Sequence, residues 1–117
     1  MDEASKDPPI NLDELMDIMD GDQDLIQDCL GDFAQEYPAM LEAIGTAIEA
    51  GDDEELERQA HALKGSLRYL AAGPAAQAAE SLEMMGRERK DSGRSKVFAL
   101  LEVECIRLQQ FIASYSG

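Results

Sequence analysis

The chain has 117 residues, enough for one domain that buries a core without metal or disulfide staples. Its formal net charge of −15 argues against nucleic acid as a partner, because that binding is driven by Lys and Arg neutralising phosphates. There is no signal-type apolar segment and no apolar run long enough to span a bilayer, so a cytoplasmic protein with no membrane partner is expected.

Residues 1–9, polar and ending in Pro8-Pro9, read as a flexible tail, and 10–117 as a single domain. Asn11 is a candidate N-cap for a short helix, Leu12 to Met19, with Leu12, Leu15, Met16 and Met19 on one face. Gly21 breaks that helix and Asp22 caps a second, long one. Its stripe runs Leu25, Ile26, Cys29, Leu30, Phe33, Tyr37, Met40, Leu41, Ile44 and Ile48 at steps of three and four. Pro38 falls inside this run and is expected to kink the helix without ending it, since the pattern continues in phase. Gly51 stops it.

Asp52 or Asp53 caps a third helix that runs to about Ala72, with Glu54 and Glu55 complementing its dipole. Gly73-Pro74 ends it and opens an alanine-rich fourth helix, about 74–90. Residues 90–93 form a loop, and a last helix, about 95–115, buries Val97, Leu101, Leu108, Phe111, Ile112 and Tyr115. Valine and threonine are scarce, while the helix-favouring residues Ala, Leu, Glu, Gln and Met are plentiful. The fold class expected is all-α: an antiparallel up-down-up-down four-helix bundle with a short extra N-terminal helix. With its apolar stripes all internal, such a bundle is expected to be a monomer.

The two cysteines, Cys29 and Cys105, belong to no CxxC or Cys/His cluster. They read as buried, reduced thiols, and no metal site is expected. Charge is uneven along the chain. Residues 1–57 hold 19 acids and one base, Lys6, whereas residues 58–117 hold 6 acids and 9 bases. The single histidine, His61, lies in the second, mildly basic part.

On the third helix, at about 100° per residue, Leu56, Ala60, Leu63, Leu67 and Leu70 form one buried stripe. His61 lies about 140° from the centre of that stripe and should face solvent. An ordinary exposed histidine is the plain alternative. Gly65, one turn on, argues against it: a mid-helix glycine costs about 0.5–1 kcal/mol relative to alanine, and here it clears the space beside the imidazole. A tight helix contact would also explain the glycine, but Gly65 points away from the apolar stripe. Lys64 and Arg68 supply cations on the same side that suit a phosphorylated imidazole, although either alone reads as a solvated helix former. Glu57 is placed to meet His61 at i, i+4.

The run Ala60-His61-Ala62-Leu63-Lys64-Gly65-Ser66, followed by Leu70-Ala71-Ala72, resembles the His-x-Leu-Lys-Gly-Ser signature of histidine phosphotransfer (HPt) domains, and the helical pattern matches over about residues 10–115. The resemblance implies a phosphorelay intermediate with His61 as phosphoacceptor, Lys64 stabilising the phosphoryl group and Gly65 giving partner access. Glu57, Arg58, Arg68 and Tyr69 are candidate binding residues around it. The implied partners are response-regulator receiver domains and a hybrid histidine kinase, with Mg²⁺ supplied by the receiver and no cofactor of the domain's own. The pattern departs from the family after Ser66. Leu67-Arg68-Tyr69 stands where small residues are common, and Ala71 where a glycine is usual. Leu67 faces the core, so repacking is expected there, with Arg68 and Tyr69 tuning partner choice.

No Walker loop or glycine-rich lid is present, so a phosphocarrier and not an enzyme is expected. Three other readings stay open. One is a docking module that binds receivers without carrying phosphate. Another is the phosphoacceptor domain of a chemotaxis-type kinase. The third, an enzyme using His61 as general base, lacks a converging nucleophile and oxyanion donors.

Overall fold

The computed structural model describes residues 6–115. Five helices follow one another: α1 Leu12–Ile18, α2 Gln23–Ala50, α3 Asp53–Tyr69, α4 Gly73–Arg87 and α5 Arg94–Ser114. No strand occurs among the described residues.

The helix starts follow local chemistry. The side chains of Asn11, Asp22 and Asp52 accept from the backbone N–H groups of Glu14, Leu25 and Glu55, each satisfying a donor that the first turn leaves free. Of the two acids proposed for the third cap, Asp52 is the cap and Asp53 the first helical residue. α2 continues through Pro38 without a break and ends at Gly51, which takes the left-handed conformation at φ 66°. α3 is shorter than expected. It closes at Tyr69 in a Schellman turn, with Ala72 N–H bonded to Leu67 C=O and Ala71 N–H to Arg68 C=O. Ala71 adopts φ 57°, the backbone region that favours glycine, which explains why a glycine suits that position better. α4 likewise ends at Arg87, not near residue 90.

Cross-helix contacts fix the directions. Between α3 and α4 they step from Glu57–Arg87 through His61–Glu83 to Arg68–Glu80, so the two helices run antiparallel. At one end of the bundle, buried Arg94 at the start of α5 donates to Asp53 at the start of α3 (2.6 Å) and to the Lys90 and Met85 carbonyls. At the other end, the Tyr115 hydroxyl donates to Gln23 at the start of α2 (2.8 Å). The chain therefore runs up and down in sequence order, with α5 packed back against α2. The long dimension, 41 Å, matches the roughly 42 Å of a 28-residue helix, so α2 alone spans the molecule.

The core is made of Leu15, Ile26, Leu30, Ile44, Leu56, Leu63, Leu67, Leu82, Leu101 and Leu108, all fully buried. Several expected stripe members depart from it: Leu12 is exposed, and Met40, Leu41, Ile48, Val97, Phe111, Ile112 and Tyr115 are only half-buried against its edge. Leu25 is exposed, whereas its neighbour Ile26 takes the buried position in the first turn of α2. Cys29 is only half-buried, whereas the Cys105 thiol is buried, and burial, helped by the carboxylates of Glu104 and Glu102, pushes it up to about 12. Both cysteines are free. Of the segment read as a tail, residues 1–5 lie outside the described residues. Residues 6–9 lead into the bundle: the Asp7 carbonyl accepts from Arg107, Pro9 is half-buried and Ile10 is buried.

α4 packs most closely on α3. Ala75, Ala76, Ala78, Ala79 and Gly86 of α4 are all buried, and residues this small let neighbouring helix backbones approach. At Gly86 the approach is extreme: a Cβ would lie 2.8 Å from Asp53 C=O and from Glu57 N. This packed pair carries the histidine.

Candidate functional site

His61 is near the middle of α3, with its side chain 68% exposed. It is not isolated. Its Nδ1 lies 2.8 Å from Oε2 of Glu83, which reaches across from α4 and is itself 3% exposed. The second oxygen of Glu83, Oε1, is met by Lys64 Nζ at 2.6 Å as an ion pair. Arg87, one turn along α4, donates to Oε2 at 3.0 Å and to Glu57 at 2.8 Å. One buried carboxylate thus gathers the imidazole, an ammonium and a guanidinium, tying α3 to α4.

The electrostatics follow from this placement. Burial pushes the Glu83 carboxyl up, but hydrogen bonds and charge from Lys64 and His61 outweigh it and hold the group below the ordinary carboxylate range. An ionised Glu83 accepts a proton-bearing Nδ1. In the neutral imidazole, that leaves Nε2 with the free lone pair. Next to the ring, a Cβ built on Gly65 would meet nothing within 4 Å, so the approach to His61 is open on that side.

Residues 28–111 match the Hpt domain family. The chain belongs to that family. Among solved structures, the crystal structure of histidine-containing phosphotransfer protein B (HptB) from Pseudomonas aeruginosa PAO1 has the same fold. The TM-score is 0.81 at 22% identity, over 93% of this chain and 98% of that one. No curated protein matches it in sequence. As an Hpt domain the chain is a histidine phosphotransfer module of two-component phosphorelays, a phosphocarrier and not an enzyme.

Within the Hpt domain, the candidate residues separate into two groups. His61, Lys64 and Gly65 come together as one patch, but Lys64 does not project toward solvent: its side chain is 14% exposed and folded onto Glu83. Arg68 is exposed and pairs with Glu80 at 3.2 Å. Arg58 pairs with Glu55 on its own helix, one turn before the histidine. Glu57 does not hold His61, as the i, i+4 spacing suggested. It is drawn to Arg87, and the carboxylate on the imidazole is Glu83, reaching across from α4. Tyr69 is 51% exposed on the α2-facing side, where with Cys29, Phe33 and Ser66 it lines a cavity of about 170 Å³.

Glu83 and Arg87 were not singled out from the sequence. A signal for Glu83 was nonetheless present. Ala76, Ala79, Glu83 and Gly86 recur at steps of three and four, so a carboxylate interrupts a stripe of small packing residues. A buried acid in such a stripe needs a partner from another element. Among the described residues, no group of three or more His, Cys, Asp or Glu side chains is arranged to hold a metal ion. None of the described helices is long and apolar enough to cross a membrane.

Proposed function

We propose that His61 is the phosphoacceptor of this Hpt domain, taking a phosphoryl group from the aspartate of one receiver domain and passing it to a second. The observation that carries this reading is the His61–Glu83 contact: a solvent-facing imidazole whose Nδ1 is held by a buried carboxylate, which leaves Nε2 with the free lone pair, one turn from the open space at Gly65.

In the forward step the Nε2 lone pair forms a bond to phosphorus, the bond from phosphorus to the aspartyl oxygen breaks, and that electron pair returns to the receiver's carboxylate. The imidazole gains positive charge as this happens, and Glu83 stabilises it through the Nδ1–H. A bare carboxylate at this distance would also repel the incoming phosphoryl oxygens. Lys64 and Arg87 offset that repulsion by neutralising Glu83. Phosphoryl transfer is mostly positioning and electrostatics, so these groups suffice on the acceptor side, with Mg²⁺ supplied by the receiver. The exposed faces around Gly65, Arg68 and Tyr69 are the docking surface, with Arg58 at its far edge. The cytoplasm, where receivers and hybrid kinases act, is the proposed compartment, and the monomer is the working unit.

The test is to incubate the protein with Mg²⁺ and receiver domains pre-loaded with phosphate, then record intact mass and map the modified peptide. One added phosphoryl group on the 53–69 helix, labile in acid and stable in alkali, is expected. If receivers bind but no donor ever labels the chain, the docking-module reading replaces this one.

Two variants probe the parts separately. Gly65→Gln should stabilise the domain by about 0.5–1 kcal/mol, since a better helix former enters open space. It should slow transfer from a receiver by roughly tenfold, the cost of about 1.4 kcal/mol in docking geometry. Chemical denaturation and transfer kinetics moving in the same direction would refute that assignment.

Glu83→Gln should slow transfer roughly tenfold to a hundredfold, because the neutral amide stabilises the developing imidazolium far less. It should also change the acid stability. The folded-state pKa of Glu83 is depressed, so its contribution is fully present above the unfolded carboxylate pKa, about 4.3. That contribution is lost as pH falls through the lower folded value. Urea unfolding at pH 7 and at pH 3 should therefore show a smaller acid-induced loss in Glu83→Gln than in the wild type. Equal losses would mean that the carboxylate is not held by its cations.

A further inference from the structure

α2 contains no Lys or Arg over its 28 residues, and the face it shares with α5 lies on the opposite side of the bundle from the helix pair that carries His61 and Glu83. Between α2 and α5 runs an open groove of about 530 Å³. Its floor is apolar: Leu41, Phe98 and Ile106, with Gly45 deepening it. A Cβ on Gly45 would stand 3.3 Å from the Phe98 ring, so the glycine makes room for that ring. Ile106 is 53% exposed, the most exposed of the large apolar side chains among the described residues. The rim carries Glu42 and Glu49 on α2 and Glu102 on α5. None of these three has a cation partner among the described residues, unlike the acids beside His61.

We infer that this groove docks a cationic amphipathic helix of another protein, apolar residues against Leu41, Phe98 and Ile106, and Lys or Arg against the three rim carboxylates. The spacing fits a helix. Glu42 and Glu49 are seven residues apart, two turns or about 10.5 Å, and a helix lying along α2 presents its own i and i+7 positions at that spacing. Helix-in-groove docking of this kind uses an apolar stripe for affinity and charge for orientation. A second copy placed with the same face inward would set carboxylates against carboxylates in a chain of net charge −15. An anionic membrane surface is disfavoured for the same reason. Because α3 and α4 are not involved, the groove can be occupied while His61 faces a receiver, which would hold the domain near a partner between transfers.

The probe is a Lys/Leu amphipathic peptide of about 18 residues, long enough to be helical, with a Glu/Leu peptide of the same pattern as control. It is titrated into the ¹⁵N-labelled full chain and followed by amide shifts. Saturable shifts confined to residues 41–49 and 98–106 are expected, with the His61 ring resonances unchanged. The double variant Glu42→Lys/Glu49→Lys, at exposed positions that leave the core intact, should weaken binding at least about tenfold, and Ile106→Asp should do so as well. Shifts spread over all acidic faces, undiminished binding by either variant, or equal binding of the Glu/Leu peptide would overturn the proposal. So would sedimentation showing that a second copy fills the groove. Phosphotransfer assays do not enter, so this test stands or falls apart from the role of His61.

Discussion

His61→Gln is expected to reduce phosphoryl uptake to background while leaving the fold unchanged. Glutamine keeps a side-chain N–H that can donate to Glu83, and the carboxylate retains its second α3 partner, Lys64. What it lacks is the nucleophilic lone pair of Nε2, and an amide nitrogen cannot replace it. The histidine side chain is 68% exposed, and exposed substitutions of this kind usually change stability by less than about 0.5 kcal/mol. The measurement pairs intact-mass labelling by phosphorylated receivers with thermal unfolding and receiver binding. Wild-type unfolding and binding with no label would assign the chemistry to this one nitrogen. A variant that still takes up an acid-labile phosphoryl group would exclude His61 as the acceptor.

Gly86→Ala should be the most damaging single-methyl change in the molecule. The added Cβ would stand 2.8 Å from Asp53 C=O and Glu57 N and 3.2 Å from Glu57 Cα. All three are backbone atoms, which cannot rotate away as a side chain can. The α3 and α4 axes would have to separate, loosening the contacts that Glu83 makes with His61 and Lys64 across the same seam. Overpacking of this kind costs about 1–3 kcal/mol, more than the roughly 1 kcal/mol that alanine gains over glycine in a free helix. A fall in melting temperature of several degrees is expected. Transfer to His61 should fall too, because Glu83 lies one turn away on the shifted helix. Calorimetry showing an unchanged or higher melting temperature would mean that the two helices are not in contact there. Gly65→Gln, on the outer face of α3, is the matched control, since there the same kind of substitution is stabilising.

The contrast between these two glycines shows how far the sequence could be read. Gly65 lies opposite a clean leucine stripe on its own helix, so one helical wheel is enough to place it outside. Gly86 looks equally unremarkable in its helix, and its importance comes from Asp53 and Glu57, about thirty residues earlier. The caps at Asn11, Asp22 and Asp52, the stop at Gly51 and the buried leucines of α3 were legible because each depends on residues within one or two turns. Leu25 and Cys29 were misplaced because a stripe gives direction but not what lies opposite it. The early stop of α3 at Tyr69 was missed because the turn is made by Ala71 in a left-handed conformation, where no glycine marks it.

By itself the sequence determined the all-helical class, the order of the elements and the outward direction of His61, since periodicity and capping are local properties of the chain. Only the tertiary structure decided which carboxylate orients the imidazole. Glu57 and Glu83 are both glutamates within reach of α3, and Glu83 reaches the imidazole across the close approach of α4 to α3 at Gly86. That packing also turns Lys64 inward onto Glu83 and gives Arg87 a second acid to hold. These are relations between helices, and no spacing along one helix encodes them.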